Sequence, residues 1–255
     1  MLDGFKSATQ GLMAMSVKQD VIANNLANAG TVGFRKEGLV ISSFTEILDR
    51  ETAGCEQTSG ETMSGHQLQT NTELHHHSVT NVGQGALKET GSSFDLALDD
   101  NGKGMFTIKT PRGIEFTRAG KFRLNNEGYL VTPDGSQLMG HNGPIRATGN
   151  EFKVSDDGVV SIDGKKVDRI LVSVFEDTTD MKRAGSTAFN AATPRVRASN
   201  DFHVKQGFLE MSNVNALQEM VGLMQVMRNF EANQKALSAN DQRLQKAVNE
   251  LGRVR

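Results

Sequence analysis

Three consecutive histidines, His75, His76 and His77, are the first residues in this sequence that could bind a metal ion. Zinc needs ligands that converge tetrahedrally, whereas consecutive side chains of regular structure diverge. No Cys or carboxylate cluster flanks them at finger-like spacing, so they read as part of a solvated loop. Cys55 is the single cysteine, set in the polar run AGCEQTSGETMSG without a nearby His or Asp in a nucleophile arrangement. It reads as an exposed or loosely buried thiol, and no intramolecular disulfide is possible. Gly102 and Gly104 lack the Lys-Ser/Thr pair and following helix of a phosphate loop. The run Asp99-Asp100-Asn101-Gly102 lacks the spacing and terminal Glu of a calcium loop. Turn chemistry accounts for both, as it does for Asp156 and Asp157. Arg118 reads as a structural guanidinium beside carboxylates of neighbouring strands. This inventory yields no catalytic residue, cofactor-binding residue or metal ligand, and the chain reads as non-enzymatic with no cofactor.

With 255 residues the chain has room for one large or two modest domains. A net charge of −2 provides no broad basic field for nucleic acid or an anionic membrane. The opening MLDGFKSATQGL has neither a basic nor a continuous apolar region, so no conventional signal peptide is expected. No run approaches a transmembrane span, so membrane insertion is not expected either. The 26 glycines, one tyrosine and absence of tryptophan point to many turns and a modest aromatic core.

The elements that organise the chain lie at its ends. Leu223, Phe230, Leu237, Leu244 and Leu251 recur every seven residues, with Met220, Met227 and Val248 three residues earlier in their heptads. Gln234 and Asp241 interrupt that second row. Asn215 is placed to cap the helix, with Gln218 as its reciprocal partner. The helix would run roughly 55 Å at 1.5 Å per residue. At the other end Phe5, Ala8, Leu12, Met15, Gln19, Ile22, Leu26 and Ala29 step by three and four. This second helix is about 40 Å long and ends near Gly30, in the left-handed position that commonly stops helices. A seam on one helix needs a partner, because a lone helix cannot bury its own apolar face. The two can pair with each other over one globular domain, or with helices of other subunits.

Between them the period falls to two from Phe94 onward, with turn sequences at Asn126-Glu127-Gly128, Pro133-Asp134-Gly135, Asp157-Gly158 and Asp163-Gly164. The expected fold class is α+β: N- and C-terminal heptad helices forming a coiled-coil-like bundle, with a central antiparallel β-rich domain. The expected division is 1–48 for the first helix and an extended segment, 49–90 for a polar loop or weak-strand linker, 91–206 for the β-rich domain, and 207–255 for the C-terminal helix.

The run DVIANNLANAGTVGFRKE, with Asn24, Asn25, Leu26, Ala27, Asn28, Gly33, Phe34 and Arg35, resembles the signature of the axial rod and hook proteins of the bacterial flagellum. Ser212, Asn213, Val214 and Asn215, preceded by Gly207, Leu209 and Glu210, resemble the family's approach to its last helix. Phe116-Thr117-Arg118-Ala119-Gly120-Lys121-Phe122 is similar to a family element that usually begins with tyrosine. The resemblance implies a structural rod subunit, exported without a cleaved signal, that polymerises through its terminal helices into the hollow, periplasm-spanning shaft between motor and hook. The implied partners are further copies, other rod subunits, hook subunits, the surrounding rings and the flagellar export apparatus. The segment between Phe44 and Gly85 and the tail EANQKALSANDQRLQ look closer to the distal-rod type, while GHNGPI looks closer to a proximal-rod subunit; the balance leans distal. The competing reading is a soluble β-rich binding module dimerised by its helices.

Overall fold

The structure is a computed structural model that describes residues 2–43, 74–149, 151–175, 181–191, 196–198 and 202–251. Cys55 lies outside these residues, as do the side chains of Phe5, His75, His76, His77, Leu244, Val248 and Leu251. Contacts divide the chain into two discontinuous units: Met1–Ala23, Gly38–Ser78 and Met220–Arg255 in one, Asn24–Glu37 and Val79–Glu219 in the other.

The first unit carries most of two helices, α1 (Leu2–Ala27) and α2 (Ala216–Leu251). A Cβ placed on Gly11 would lie 3.6 Å from Asn233 Nδ2, and one on Gly222 would lie 3.6 Å from Ile22 Cδ1. The residue order reverses between the two contacts, so the helices run antiparallel past each other. Among the described residues no helix is long and apolar enough to cross a membrane. The strands Glu37–Ser43 and Leu74–Thr80 pair with one another.

The second unit is built on one antiparallel sheet. The strand Gly104–Thr110 pairs with Gly113–Thr117 along one edge. Its other edge is shared: Val172–Phe175 takes the first half and Gln137–Gly140 the second. The strand buries residues on both of its faces, Phe106 in one core and Met105 in another. Leu96, Leu98, Phe106, Leu130, Leu138, Ile170 and Val172 belong to the main core, and Met105, Phe116, Met181 and Phe189 form a smaller one. The rings of Phe106 and Phe122 meet edge-to-face at 5.5 Å. Phe152–Val154, Val159–Ile162 and Lys165–Arg169 form a separate three-stranded sheet. Leu96–Asp99 pairs with His203–Gln206, and Leu87–Glu89 with Phe208–Glu210.

The expected turns fold as turns. Gly128, Gly135, Gly158 and Gly164 have positive φ, and Asn101 and Asp163 enter the left-handed region with them. Gly30 does not. α1 stops at Ala27, where the Asn28 side chain donates to the Asn24 carbonyl at 2.9 Å, and the left-handed glycine is Gly33, at φ 68°. A side-chain cap supplied by asparagine thus replaces the glycine stop expected at Gly30. At the other helix Asn215 Oδ1 accepts from the amides of Leu217 and Gln218 at 3.1 and 3.2 Å, the N-cap anticipated from its position.

Phe106 is fully enclosed, whereas Ile114 on the neighbouring strand is largely exposed. Phe106→Ala is therefore expected to lower unfolding stability by about 3–5 kcal/mol. Ile114→Ser should stay within about 0.5 kcal/mol of the parent. Urea unfolding followed by circular dichroism checks the contrast; equal losses would mean the core is misassigned.

Candidate functional site, a buried junction of three chain segments

Four charged side chains from distant parts of the β-rich unit meet out of water. Arg35 follows the turn after α1, Arg118 follows the strand Gly113–Thr117, Asp100 begins a tight turn, and Glu210 ends the strand before α2. Arg35, Arg118 and Glu210 are each 1% exposed. Glu210 bridges the two guanidiniums: its Oε1 lies 2.9 Å from Arg35 Nη1 and its Oε2 accepts from Arg118 Nε at 2.6 Å. Arg118 Nη2 also donates to Asp100 Oδ1 at 2.7 Å and to the Leu98 carbonyl at 2.9 Å, while its Nη1 reaches the Gly104 carbonyl. Arg35 donates to the carbonyls of Gly83 and Gly102. Burial lowers the Arg35 pKa to about 10; Glu210 opposes that shift and the neighbouring Arg118 adds to it. The guanidinium still carries its charge at neutral pH. Arg118 is thus the structural guanidinium beside carboxylates that its place among the strands suggests.

The backbone around this cluster is interlocked. Gly33 N–H donates to the Glu210 carbonyl at 2.8 Å, and Lys36 N–H to Asn213 Oδ1 at 2.7 Å. Gly85 N–H donates to Glu210 Oε1 at 2.8 Å, Met211 N–H to the Ala86 carbonyl at 2.9 Å, and Asn213 Nδ2 to the carbonyls of Asn81 and Gly83. A Cβ on Gly85 would fall 2.0 Å from the Met211 carbonyl oxygen, and one on Gly33 would fall 2.3 Å from the Ala119 nitrogen. Only glycine allows these approaches, and Gly33 additionally needs its positive φ. The segments 31–37, 81–86 and 207–213 therefore hold each other.

A second polar contact lies at the start of α2. Glu219, almost fully buried, accepts from Asn25 Nδ2 at 3.3 Å and pairs with Lys36 Nζ at 2.5 Å. Asn25 also brackets Glu37, accepting from its amide at 2.9 Å and donating to its carbonyl at 2.8 Å. Arg183 stacks over Phe34 at 4.6 Å and Phe189 at 5.1 Å, and bonds Glu37 Oε1 at 2.8 Å.

Of the motif residues singled out in the sequence, Asn25, Asn28, Gly33, Phe34, Asn213 and Asn215 take part in these contacts. Asn24 supplies acceptors to Asn28, and Ser212 Oγ accepts from the Val214 amide at 3.2 Å. Ala27 is exposed and Leu26 half-buried. The heptad residues do not all share one environment. Ile22 is buried, and Leu12, Met15, Leu223, Phe230 and Leu237 are half-buried, but Met220 and Met227 are exposed. No spacing in the sequence signals the closure of this ionic cluster, although Arg35, Arg118 and Glu210 each lie in a recognisable motif.

A cleft of about 510 Å³ lies elsewhere in this unit, with Ile108, Thr110, Glu115, Thr117, Thr132 and Ser136 among its lining. Its groups are largely committed internally: Glu115 pairs with Arg112 at 3.2 Å, and the Thr110 and Thr117 hydroxyls donate to the carbonyls of Gly113 and Thr187. Among the described residues no group of three His, Cys, Asp or Glu is arranged to hold a metal ion.

Three family models match the chain: "Flagella basal body rod protein" over residues 5–35, "Flagellar hook protein FlgE/F/G D1 domain" over 101–162, and "Flagellar basal body rod FlgEFG protein C-terminal" over 205–250. The flagellar basal-body rod protein FlgG of Bacillus subtilis is 33% identical, over 98% of this chain and 99% of that protein. The chain belongs to the flagellar basal-body rod family. FlgF of Rhizobium meliloti, also named a basal-body rod protein, is 33% identical over 99% of each chain. The hook-basal body complex protein FlhO of Bacillus subtilis is 29% identical over the full length of both. Arg35, Arg118 and Glu210 fall in three different family segments, so the ionic cluster ties together all three matched parts of this rod-family chain.

Removing one partner from a buried ion cluster strands the others. Arg118→Met is expected to cost about 3–5 kcal/mol. Lys153→Met, which breaks an ion pair with Glu151 in which both side chains are exposed, should cost no more than about 1 kcal/mol. Denaturant titration of both variants gives the comparison; a Lys153 effect as large as that of Arg118 would contradict the assignment of the cluster as the main tie.

Proposed function

We propose that this chain is a structural subunit of the flagellar basal-body rod, polymerising through α1 and α2 into the hollow axial shaft that carries torque from motor to hook. Family membership supports the rod assignment, and one feature of α2 supports the mode of assembly. Leu217, Met220, Val221, Met224 and Met227 recur at helical spacing along this helix and are all exposed, Leu217 at 72% and Met224 at 52%. Val226, on the opposite side, is 2% exposed. The N-terminal half of α2 thus has two apolar faces, one covered by its own chain and one uncovered. A row of this kind is suited to packing against helices of further copies, where heterologous contacts that do not close generate a helical array.

On this reading the partners are copies of the chain, other rod subunits, hook subunits and the enclosing rings. The export apparatus would deliver the chain, unfolded and uncleaved, to the basal body. The seam comprising Phe5, Leu12, Met15, Ile22, Leu26, Leu223, Phe230, Leu237, Leu244, Val248 and Leu251 would hold the helical layer together, and Met220 and Met227 would face neighbouring subunits. The distal-rod character suggested by the segment between Phe44 and Gly85 belongs to the same proposal.

The test replaces the uncovered row and leaves the covered face alone. A Met220→Glu/Met227→Glu chain should be secreted and keep the parental circular dichroism spectrum. It should nonetheless leave cells without complete rods by electron microscopy and unable to swim. Each lost apolar burial is worth about 1.5–3 kcal/mol, repeated at every subunit, so assembly should fail rather than weaken. Normal swimming would sink assembly through this row. A parent that stops at a dimer as its concentration rises would favour the binding-module reading.

A further inference from the structure

We infer that the junction is a completeness latch: the N-terminal arm, residues 31–37, locks onto the β-rich unit only after segment 207–213 has taken its place. The geometry carries this. Two of the arm's amides, those of Gly33 and Lys36, find their acceptors on Glu210 and Asn213. The arm's buried cation, Arg35, finds its carboxylate on Glu210 at 2.9 Å. Without that segment, Arg35 would enter a buried site already holding Arg118, with Asp100 as the one remaining carboxylate of the cluster. Two guanidiniums facing one carboxylate leave a net buried positive charge, so entry of the arm is opposed until Glu210 arrives. The early partner segment 81–86 cannot substitute: it donates the Asn81 amide to the Lys36 carbonyl and offers the Gly83 carbonyl to Arg35, but it carries no carboxylate to balance the arm's charge.

The consequence rests on the rod reading and its export step. A chain that travels N-terminus first would bring out the arm and the strands 87–206 before Glu210. The arm would then stay undocked, and with it the end of α1, until nearly the whole chain had emerged. A truncated subunit would never present a locked arm. The latch itself is a property of the isolated chain and can be tested without flagella.

The experiment is hydrogen exchange on the purified full-length protein, resolved at single amides. In Glu210→Gln the side chain keeps its shape and loses its charge. The Gly33 and Lys36 amides should exchange at least tenfold faster, while Thr107 and Leu130, bonded to Leu171 and Ile145 inside the β-rich unit, should change less than twofold. Unchanged protection at Gly33 and Lys36 would overturn the latch. If the variant loses protection everywhere, pulse labelling during refolding of the parent chain decides. There, protection at Met211 should precede or accompany protection at Gly33 and Lys36. Arm amides protected before Met211 would refute the proposed order. Normal swimming of the Met220→Glu/Met227→Glu cells would remove assembly through the α2 row and leave this result standing.

Discussion

Two guanidiniums and two carboxylates enclosed together impose the main constraint on the β-rich unit. Each charge loses its hydration, and the loss is offset only when every partner is present with good geometry. Glu210 is central because it contacts both arginines, one through each oxygen. Asp100 completes the charge balance, and also receives the amides of Gly102 and Gly104 in its own turn. The turn, the strand end and the arm after α1 therefore cannot be positioned independently.

Close backbone approach follows from the same constraint. For Glu210 to reach both arginines, its strand must lie against Leu87–Glu89, and the chain at Gly85 must pass almost in contact with Met211. Gly33 passes Ala119 in the same way, which brings Arg35 alongside Arg118. Here the glycines serve packing as much as turning. The aromatic stack of Phe34, Arg183 and Phe189 closes the outer side of the arm and links it to the smaller core.

What could be read from the sequence was local in origin. Asp-Gly and Asn-containing turns, the alternation of Phe94, Leu96 and Leu98, and the Asn215 cap depend on neighbours a few residues apart, and the structure shows turns, strands and a cap there. The ionic cluster depends on pairings such as Arg118 with Glu210, 92 residues apart, which leave no periodic trace. Arg118 reads from the sequence as a structural guanidinium beside carboxylates, but Arg35 and Glu210 read only as motif members, and nothing in the spacing joins them into one buried group. Gly30 suits a helix stop by residue type, but an asparagine two residues earlier does that work. The heptad row is a subtler case. Positions three residues apart differ by about 60° in azimuth on a straight helix of 3.6 residues per turn. Leu223, Phe230 and Leu237 stay near the covered side of α2, and Met220 and Met227 fall toward the open side.

A buried ionic cluster is often no more stabilising than apolar residues of equal volume, so stability alone does not account for it. Register does. Side chains alternate along a strand, and a one-residue slip of Phe208–Glu210 would turn Glu210 away from both arginines. The same slip would propagate into the helix six residues on, where each residue advances the azimuth by about 100°. Asn213 bonded to Asn81 and Gly83, the Asn215 cap, and Glu219 held by Asn25 and Lys36 form a succession of fixed points between that strand and the first turn of α2. The slip would also displace buried Leu209, so the apolar packing and the paired charges specify the same register. The cluster therefore fixes the register of the strand that leads into the first turn of α2, as far as Glu219.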